Sequence, residues 1–165
     1  MRRGEEWRHL RPISVRFKAL PSEFPGWNEA RKKTVPRERV QVLEQALAKE
    51  FADPRFLPFI QLHEFESLLY CDLNELRRRI EDSEAGIQAL RAEVKDTPPE
   101  DINEGATTAP SKRIIRHLPI YERNKVRVGA PAAAAIGLNT LRNRCPHFGG
   151  WLSKLEALGN PALVV

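Results

Sequence analysis

The sequence predicts one mostly helical α/β domain. Two observations support this prediction: apolar residues recur at three- and four-residue steps after Pro36, the period of amphipathic helices, and strand-like patterns occupy only two short stretches. The length of 165 residues fits a single domain. We therefore expect about two strands among many helices.

The first expected strand covers residues 13–18, where Ile13, Val15 and Phe17 alternate with polar residues in the pattern of a half-buried strand. The second covers residues 57–62, within the apolar run FLPFIQL. Because proline lacks the N–H of a ladder donor, Pro58 is expected near the start or at the edge of this strand.

The other elements are expected to be helices. Residues 36–51 carry an apolar stripe of helical period after a proline suited to a first turn. Helical residues should follow from Glu64, with a break near Asp72. The polar, proline-containing stretch 97–111 predicts a long loop, and loops of this length are usually functional or disordered. Further helices are expected at 83–95, 112–118, 120–126, 130–136, 138–144 and 148–158.

Composition narrows the class of protein. Lysine and arginine outnumber acidic residues 27 to 22, giving a net charge of +5, which suits nucleic acid but is equally typical of an ordinary solvated surface. No segment approaches the roughly 20 apolar residues that cross a bilayer, so we expect no membrane partner and a cytoplasmic location. The distant Cys71 and Cys145 suggest neither a zinc knuckle nor a disulfide framework.

The first candidate site is a polar cluster after the second expected strand, formed by Gln61, His63, Glu64 and Glu66. On an extended backbone Gln61 would share a face with His63, and Glu64 with Glu66. On a helix His63 and Glu66 would be co-facial instead. Sequence alone leaves both geometries open.

Glu64 and Glu66 are candidate ligands for Mg²⁺, with His63 beside them as a further candidate catalytic residue. Magnesium takes oxygen ligands, commonly one or two carboxylates completed by substrate phosphates, and it can activate water against a phosphodiester. The structural alternative is that both carboxylates complement the dipole of a helix start and that His63 caps or packs.

The second candidate site surrounds the long loop. Ser111 as a helix cap followed by Lys112 and Arg113 would offer backbone N–H groups and two cations to a phosphate, although a plain cap with solvated cations is the commoner arrangement. We expect His63, Glu64 and Glu66 to lie close in space to Asp101, Asn103 or Lys112, because a long polar loop of this kind commonly serves a site. Further candidates are Asp101, Asn103 and His147.

Several separated motifs are distinctive, namely FPGW at 24–27, FIQLHEFESLLY at 59–70, PEDINEGATTAPSKRI at 99–114, AIGL at 135–138 and CPHFGGWLSKLEAL at 145–158. Together these motifs resemble a prokaryotic family named domain of unknown function 4276, and they occur in the order of that family. The resemblance covers about residues 19–158.

The resemblance implies a Toprim-like fold and, by analogy with members encoded near ATPases, nuclease activity in defence against foreign DNA. Glu64 and Glu66 would then match the later acidic residues of a Toprim site. The strand and VEGxTE-like turn with which the family begins have no match in residues 1–18. We expect this segment to be altered or partly disordered, and residues 19–165 to form the C-terminal part of one Toprim-like domain.

Two functions remain open. The chain is a Mg²⁺-dependent nucleic-acid phosphodiesterase, or a subunit of one, in which Glu64 and Glu66 bind the metal. Alternatively, it is a non-catalytic fragment or accessory module that binds a partner ATPase. The altered start favours the second function, whereas the HEFE and SKR segments favour the first.

Overall fold

The computed structural model describes residues 20–102 and 105–159. The chain comprises two compact units, residues 1–60 and 61–165. Throughout the described residues the regular structure is helical, and no β-strand occurs. The expectation of an α/β fold with about two strands is therefore wrong for this part of the chain, whereas the expectation of mostly helical structure is confirmed. No helix among the described residues is long and apolar enough to cross a membrane.

In the first unit, the short helix α1 (Trp27–Ala30) contacts the long helix α2 (Pro36–Phe51). Helix α2 begins at a proline that needs no N–H there, and it ends where Ala52 turns left-handed. Gly26 precedes α1 at a φ of 78°, and a Cβ there would lie 2.7 Å from the Cβ of Ala46. Glycine is thus required where the two helices meet.

The strand expected at residues 57–62 is an irregular extended segment instead. Pro58 has no N–H, and the N–H of Ile60 donates to the carboxylate of Glu44 at 2.7 Å rather than to a neighbouring strand. A side chain of α2 therefore takes the place of a ladder partner. The strand expected at residues 13–18 lies outside the described residues.

The second unit is built around a 3₁₀-helix, Phe65–Cys71, in which all residues after Phe65 are buried. The α-helices of this unit are α3 (Asn74–Arg77), α4 (Glu84–Val94), α5 (Pro110–His117), α6 (Tyr121–Asn124), α7 (Ala130–Ile136), α8 (Leu138–Arg144) and α9 (Pro146–Gly159). The stretch expected to be a long loop contains the short 3₁₀ turn Pro99–Asp101, and helices α5 to α9 follow that turn.

The core of this unit combines the 3₁₀-helix with the apolar faces of the surrounding helices. The 3₁₀-helix contacts the Pro99–Asp101 turn, α5, α7 and α8. Burial of these side chains supplies the main favourable free energy of folding for the unit. Fully buried members include Leu69, Leu76, Ile87, Leu90, Ile114 and Tyr121.

Between α6 and α7 the helix widens into one π-turn, Lys125–Gly129. The sequence explains its position, because Pro131 has no N–H and its ring would clash with the carbonyl of Arg127 in a regular α-helix. Widened turns of this kind relieve such a conflict without ending the helix. The π-turn therefore lies immediately before α7, whose second residue is Pro131.

Helices α4 and α5 approach closely at Gly86, where a Cβ would lie 2.4 Å from the carbonyl oxygen of His117. We expect Gly86→Ala to destabilise the protein by about 1–3 kcal/mol, because backbone atoms must move to admit the methyl group. Gly150→Ala is the matched control, since nothing lies within 4 Å of its Cβ position in α9. The control should be neutral or stabilising by up to about 1 kcal/mol, and equal urea midpoints for the two variants would contradict the expected close packing.

Candidate functional site

Glu64 and Glu66 lie at the start of the 3₁₀-helix. The sequence left an extended and a helical backbone open for this segment, and the structure contains one residue of each kind. Glu64 is extended, with φ −70° and ψ 156°, and immediately precedes the helix, whereas Glu66 lies in the first turn. Glu64 is partly buried and Glu66 is buried. The two carboxylates therefore enter different contacts.

Glu64 binds the start of α5. Its carboxylate oxygen accepts a hydrogen bond of 2.8 Å from the backbone N–H of Ser111. Close by, the hydroxyl of Tyr70 donates to the carbonyl of Pro110 at 2.8 Å. The HEFE segment and the SKR segment, 47 residues apart along the chain, thus meet in the structure.

The sequence suggested that Ser111 is the cap of α5. The helix instead begins at Pro110, and Ala109 is the residue that precedes it. Ser111 is buried, and its N–H already serves the Glu64 carboxylate. Lys112 remains exposed.

Glu66 faces a cation. Its carboxylate lies 3.7 Å from the Nζ of Lys125, the first residue of the π-turn. The Glu66 side chain is only 12% exposed while that of Lys125 is 40% exposed, so the ion pair connects the core to the surface. Such a half-buried pair is less screened by solvent than a surface pair.

Tyr121 completes this neighbourhood. Its side chain is fully buried, and its hydroxyl finds no hydrogen-bond partner within the part of the chain that the structure describes. Burial raises the pKa of Tyr121, and the charges of Glu66 and Glu64 raise it further. A Cβ at Gly129 would lie 2.8 Å from the hydroxyl, so a side chain there would cover it. An orphaned buried hydroxyl is unusual and marks a place where a ligand could supply the missing bond.

His63 and Gln61 are core residues of the second unit, each only 4% exposed. The amide of Gln61 donates to the hydroxyl of Ser67 at 3.2 Å, which ties the preceding segment to the 3₁₀-helix. These two predicted site residues are buried beside the helix start, and Gln61 has a structural contact there.

Arg113 belongs to an ionic network centred on Glu93 of α4. One carboxylate oxygen of Glu93 lies 2.5 Å from Arg113 and 3.1 Å from Arg116, and the other lies 2.7 Å from Nε2 of His117. Burial raises the pKa of the Glu93 carboxyl, but the His117 hydrogen bond and the two arginine charges outweigh it and hold the pKa below its ordinary value.

The remaining candidates lie elsewhere. Asp101 lines a cavity of about 180 Å³ together with Glu93 and Arg113. Asn103 lies outside the described residues. The backbone N–H groups of His147 and Phe148 donate to the two carboxylate oxygens of buried Glu100, each at 2.9 Å, so this segment forms the capped start of α9.

A complete magnesium site is not found in the described residues. No group of three or more His, Cys, Asp and Glu side chains converges there to hold a metal ion. Of the two proposed ligands, Glu64 already accepts the Ser111 N–H and Glu66 faces Lys125. Two carboxylates so engaged do not fit an ion that requires near-octahedral oxygen coordination, so we assign no catalytic step to a metal here.

Comparison with known proteins identifies the family. The family model described as Domain of unknown function (DUF4276) matches residues 18–156. The chain belongs to this family. The DUF4276 assignment confirms the family resemblance expected from the separated motifs, and the match covers both compact units. No curated protein and no solved structure matches the sequence.

The Glu93 network should make stability depend on pH. We expect Glu93→Gln to lower the free energy of unfolding by about 2 kcal/mol at pH 6, because the neutral amide leaves two arginines without their shared carboxylate. The folded pKa of Glu93 is lowered, so its contribution is present above the ordinary value of 4.5 and is lost as the pH falls through the folded pKa.

Urea titrations at pH 6 and pH 3 test this network, and the difference between the wild type and Glu93→Gln should shrink at the lower pH. Glu84→Gln is the control, because the Glu84 ion pair with Arg77 is solvent-exposed and its loss should leave the urea midpoint nearly unchanged at both pH values. A difference for Glu93→Gln that is unchanged at pH 3 would refute the electrostatic origin.

The two buried tyrosines should respond oppositely to loss of the hydroxyl. Tyr70→Phe should destabilise the protein by about 1 kcal/mol, because it breaks the bond to Pro110 and leaves that carbonyl unpaired. Tyr121→Phe should be neutral or stabilising by up to about 1 kcal/mol, because its hydroxyl is buried without a partner in the described residues. Equal losses in thermal or urea unfolding would show that the Tyr121 hydroxyl is bonded in the folded protein.

Proposed function

We propose that the second unit binds the phosphate backbone of a nucleic acid, as an accessory part of a nucleic-acid-processing assembly. The observation that carries this proposal is the placement of exposed cations on both sides of the Glu64 and Glu66 pair. Phosphate contacts from lysine and arginine dominate the affinity of proteins for nucleic acids.

On one side, Lys112 is exposed at the start of α5, next to the residue whose N–H binds Glu64. On the other side, Lys125 extends from the π-turn beside Glu66, and Arg127 is exposed two residues further along the same turn. These three residues define the basic rim. The rim combines contributions from two helical segments that the 3₁₀-helix brings together.

The carboxylate pair gives the basic rim a defined geometry. Glu66 holds Lys125 by one ion pair, which restricts the orientation of a side chain that otherwise loses much rotamer freedom on binding. Arg127 has no carboxylate partner in the ion pairs of the described residues, so its charge is available to a phosphate. Sequence-independent binding with a strong salt dependence is expected from such a rim.

The double variant Lys125→Gln/Arg127→Gln tests the basic rim. Fluorescence anisotropy with labelled single- and double-stranded DNA and RNA should show roughly tenfold weaker binding in the variant at moderate salt. The slope of log affinity against log salt should fall by about two, as expected for the loss of two phosphate contacts.

A matched control separates location from net charge. Arg31→Gln/Lys49→Gln removes the same charge from two exposed residues of the first unit and should leave affinity nearly unchanged. If both double variants weaken binding equally, the effect comes from net charge and the basic rim has no special role. Undetectable binding by the wild-type chain to all four probes would reject the proposal itself.

A second candidate function, that of a subunit of a metal-dependent phosphodiesterase, is favoured by one observation. The orphaned hydroxyl of Tyr121 lies in the field of Glu64 and Glu66, where a bound phosphate or water could use it. The isolated chain should nevertheless show little or no cleavage with Mg²⁺ or Mn²⁺, because the described residues supply too few ligands. Robust cleavage that is lost in Glu64→Ala and Glu66→Ala would favour this function over the accessory role.

A further inference from the structure

The two cysteines, 74 residues apart in sequence, meet in the core of the second unit. Cys71 ends the 3₁₀-helix and Cys145 lies between α8 and α9, with 3.3 Å between their sulfur atoms. Both are free thiols and both are buried. A disulfide bond of about 2.05 Å would require the sulfurs to approach by only a little over an ångström.

The surrounding contacts hold each cysteine in place. The guanidinium of Arg144 donates to the carbonyl of Cys71 at 3.0 Å. The residue directly before Cys145 is therefore bonded to the backbone of Cys71. Beyond Cys145, Glu100 fixes the first turn of α9 through two backbone N–H groups. The juxtaposition of the thiols is therefore built by contacts that do not involve the sulfur atoms.

Cys71 also lines a cavity of about 250 Å³, whereas Cys145 is not among the lining residues. Three cations line the same cavity, namely Arg91, Lys95 and Arg144, against the single carboxylate of Asp72. A positively charged cavity beside a thiol favours an anionic reactant and the thiolate form of the cysteine. Of the two cysteines, Cys71 thus borders the cavity and Cys145 does not.

The pKa shifts of the two thiols also distinguish Cys71 from Cys145. The hydrogen bond from Cys145 lowers the pKa of Cys71, and the charge of Arg144 lowers it further against the effect of burial. The same hydrogen bond and burial raise the pKa of Cys145. The position of Cys71 at the cavity and the lowered pKa of its thiol together indicate Cys71 as the attacking thiol and Cys145 as the resolving thiol, because the thiolate is the nucleophile.

We propose that Cys71 and Cys145 form a reversible thiol–disulfide site that is oxidised by a small anionic disulfide entering the cationic cavity. The Cys71 thiolate attacks one sulfur of the small disulfide, forming a mixed disulfide and releasing one small thiolate. The Cys145 thiol then loses its proton and attacks the Cys71 sulfur, forming the internal disulfide and releasing the second small thiolate. The protein loses two electrons and two protons, and the small disulfide is reduced to two thiols.

Oxidation would link the end of the 3₁₀-helix, which carries Glu66 in its first turn, to the start of α9. The cross-link closes a long loop, so it restricts the unfolded chain strongly. The formation or reduction of this disulfide is therefore expected to change the stability of the unit that contains the basic rim.

Oxidised glutathione is the probe, applied to the full chain in a series of glutathione redox buffers and followed by mass spectrometry after thiol trapping. The wild type should lose two hydrogens and yield a Cys71–Cys145 cross-linked peptide. Its melting temperature should rise by about 5 °C or more on oxidation. Cys145→Ser should instead stop at a mixed disulfide on Cys71, and Cys71→Ser should remain unmodified at Cys145.

A charge variant tests the cavity without altering either thiol. Lys95→Gln should slow the oxidation by glutathione several-fold and leave oxidation by an uncharged disulfide unchanged. A wild-type chain that stays a dithiol in the most oxidising buffer, or that forms only intermolecular disulfides, would overturn the proposal. If Lys95→Gln slows oxidation by charged and by uncharged disulfides equally, the cationic cavity does not select an anionic oxidant.

Discussion

The second unit depends on how the polar groups of its buried 3₁₀-helix are satisfied. The helix Phe65–Cys71 runs for seven residues, longer than is usual for this geometry, and buries six of them. Buried polar groups require partners, and here the partners come from distant segments. Tyr70 contacts the start of α5, the carbonyl of Cys71 receives Arg144 of α8, and the flanking carboxylate of Glu64 binds Ser111. These bonds fix the helices around the 3₁₀-helix, and with them every side chain of the candidate site.

The helices with strong local signals were predicted almost residue by residue. Residues 36–51, 130–136 and 138–144 coincide with α2, α7 and α8, because proline, apolar period and glycine mark their limits within the sequence itself. The strand at 57–62 failed for a tertiary reason. Its apolar composition suits a strand, but Glu44 takes the N–H of Ile60 and no neighbouring strand exists among the described residues.

The candidate site was only partly visible in the sequence. Glu64 and Glu66 could be singled out because carboxylates follow an apolar run, and the Ser111 segment because cations follow a helix start. Tyr121, Lys125 and the central role of Glu93 gave no comparable signal. Lys125 and Glu93 act through partners far along the chain, such as His117, which is 24 residues from Glu93, and periodicity carries no information about such pairs.

The π-turn Lys125–Gly129 has a consequence for how the family can vary in length. A π-turn holds one residue more than an α-turn, so a single deletion within it would restore the regular helix spacing and bring the Pro131 ring against a backbone carbonyl of the preceding turn. The deletion would also rotate everything before it by about 100° relative to α7. Tyr121 would leave the core, and the cation that Glu66 now holds would turn to another face. Relatives that lack this residue should therefore have a different surface chemistry even where their sequences otherwise align.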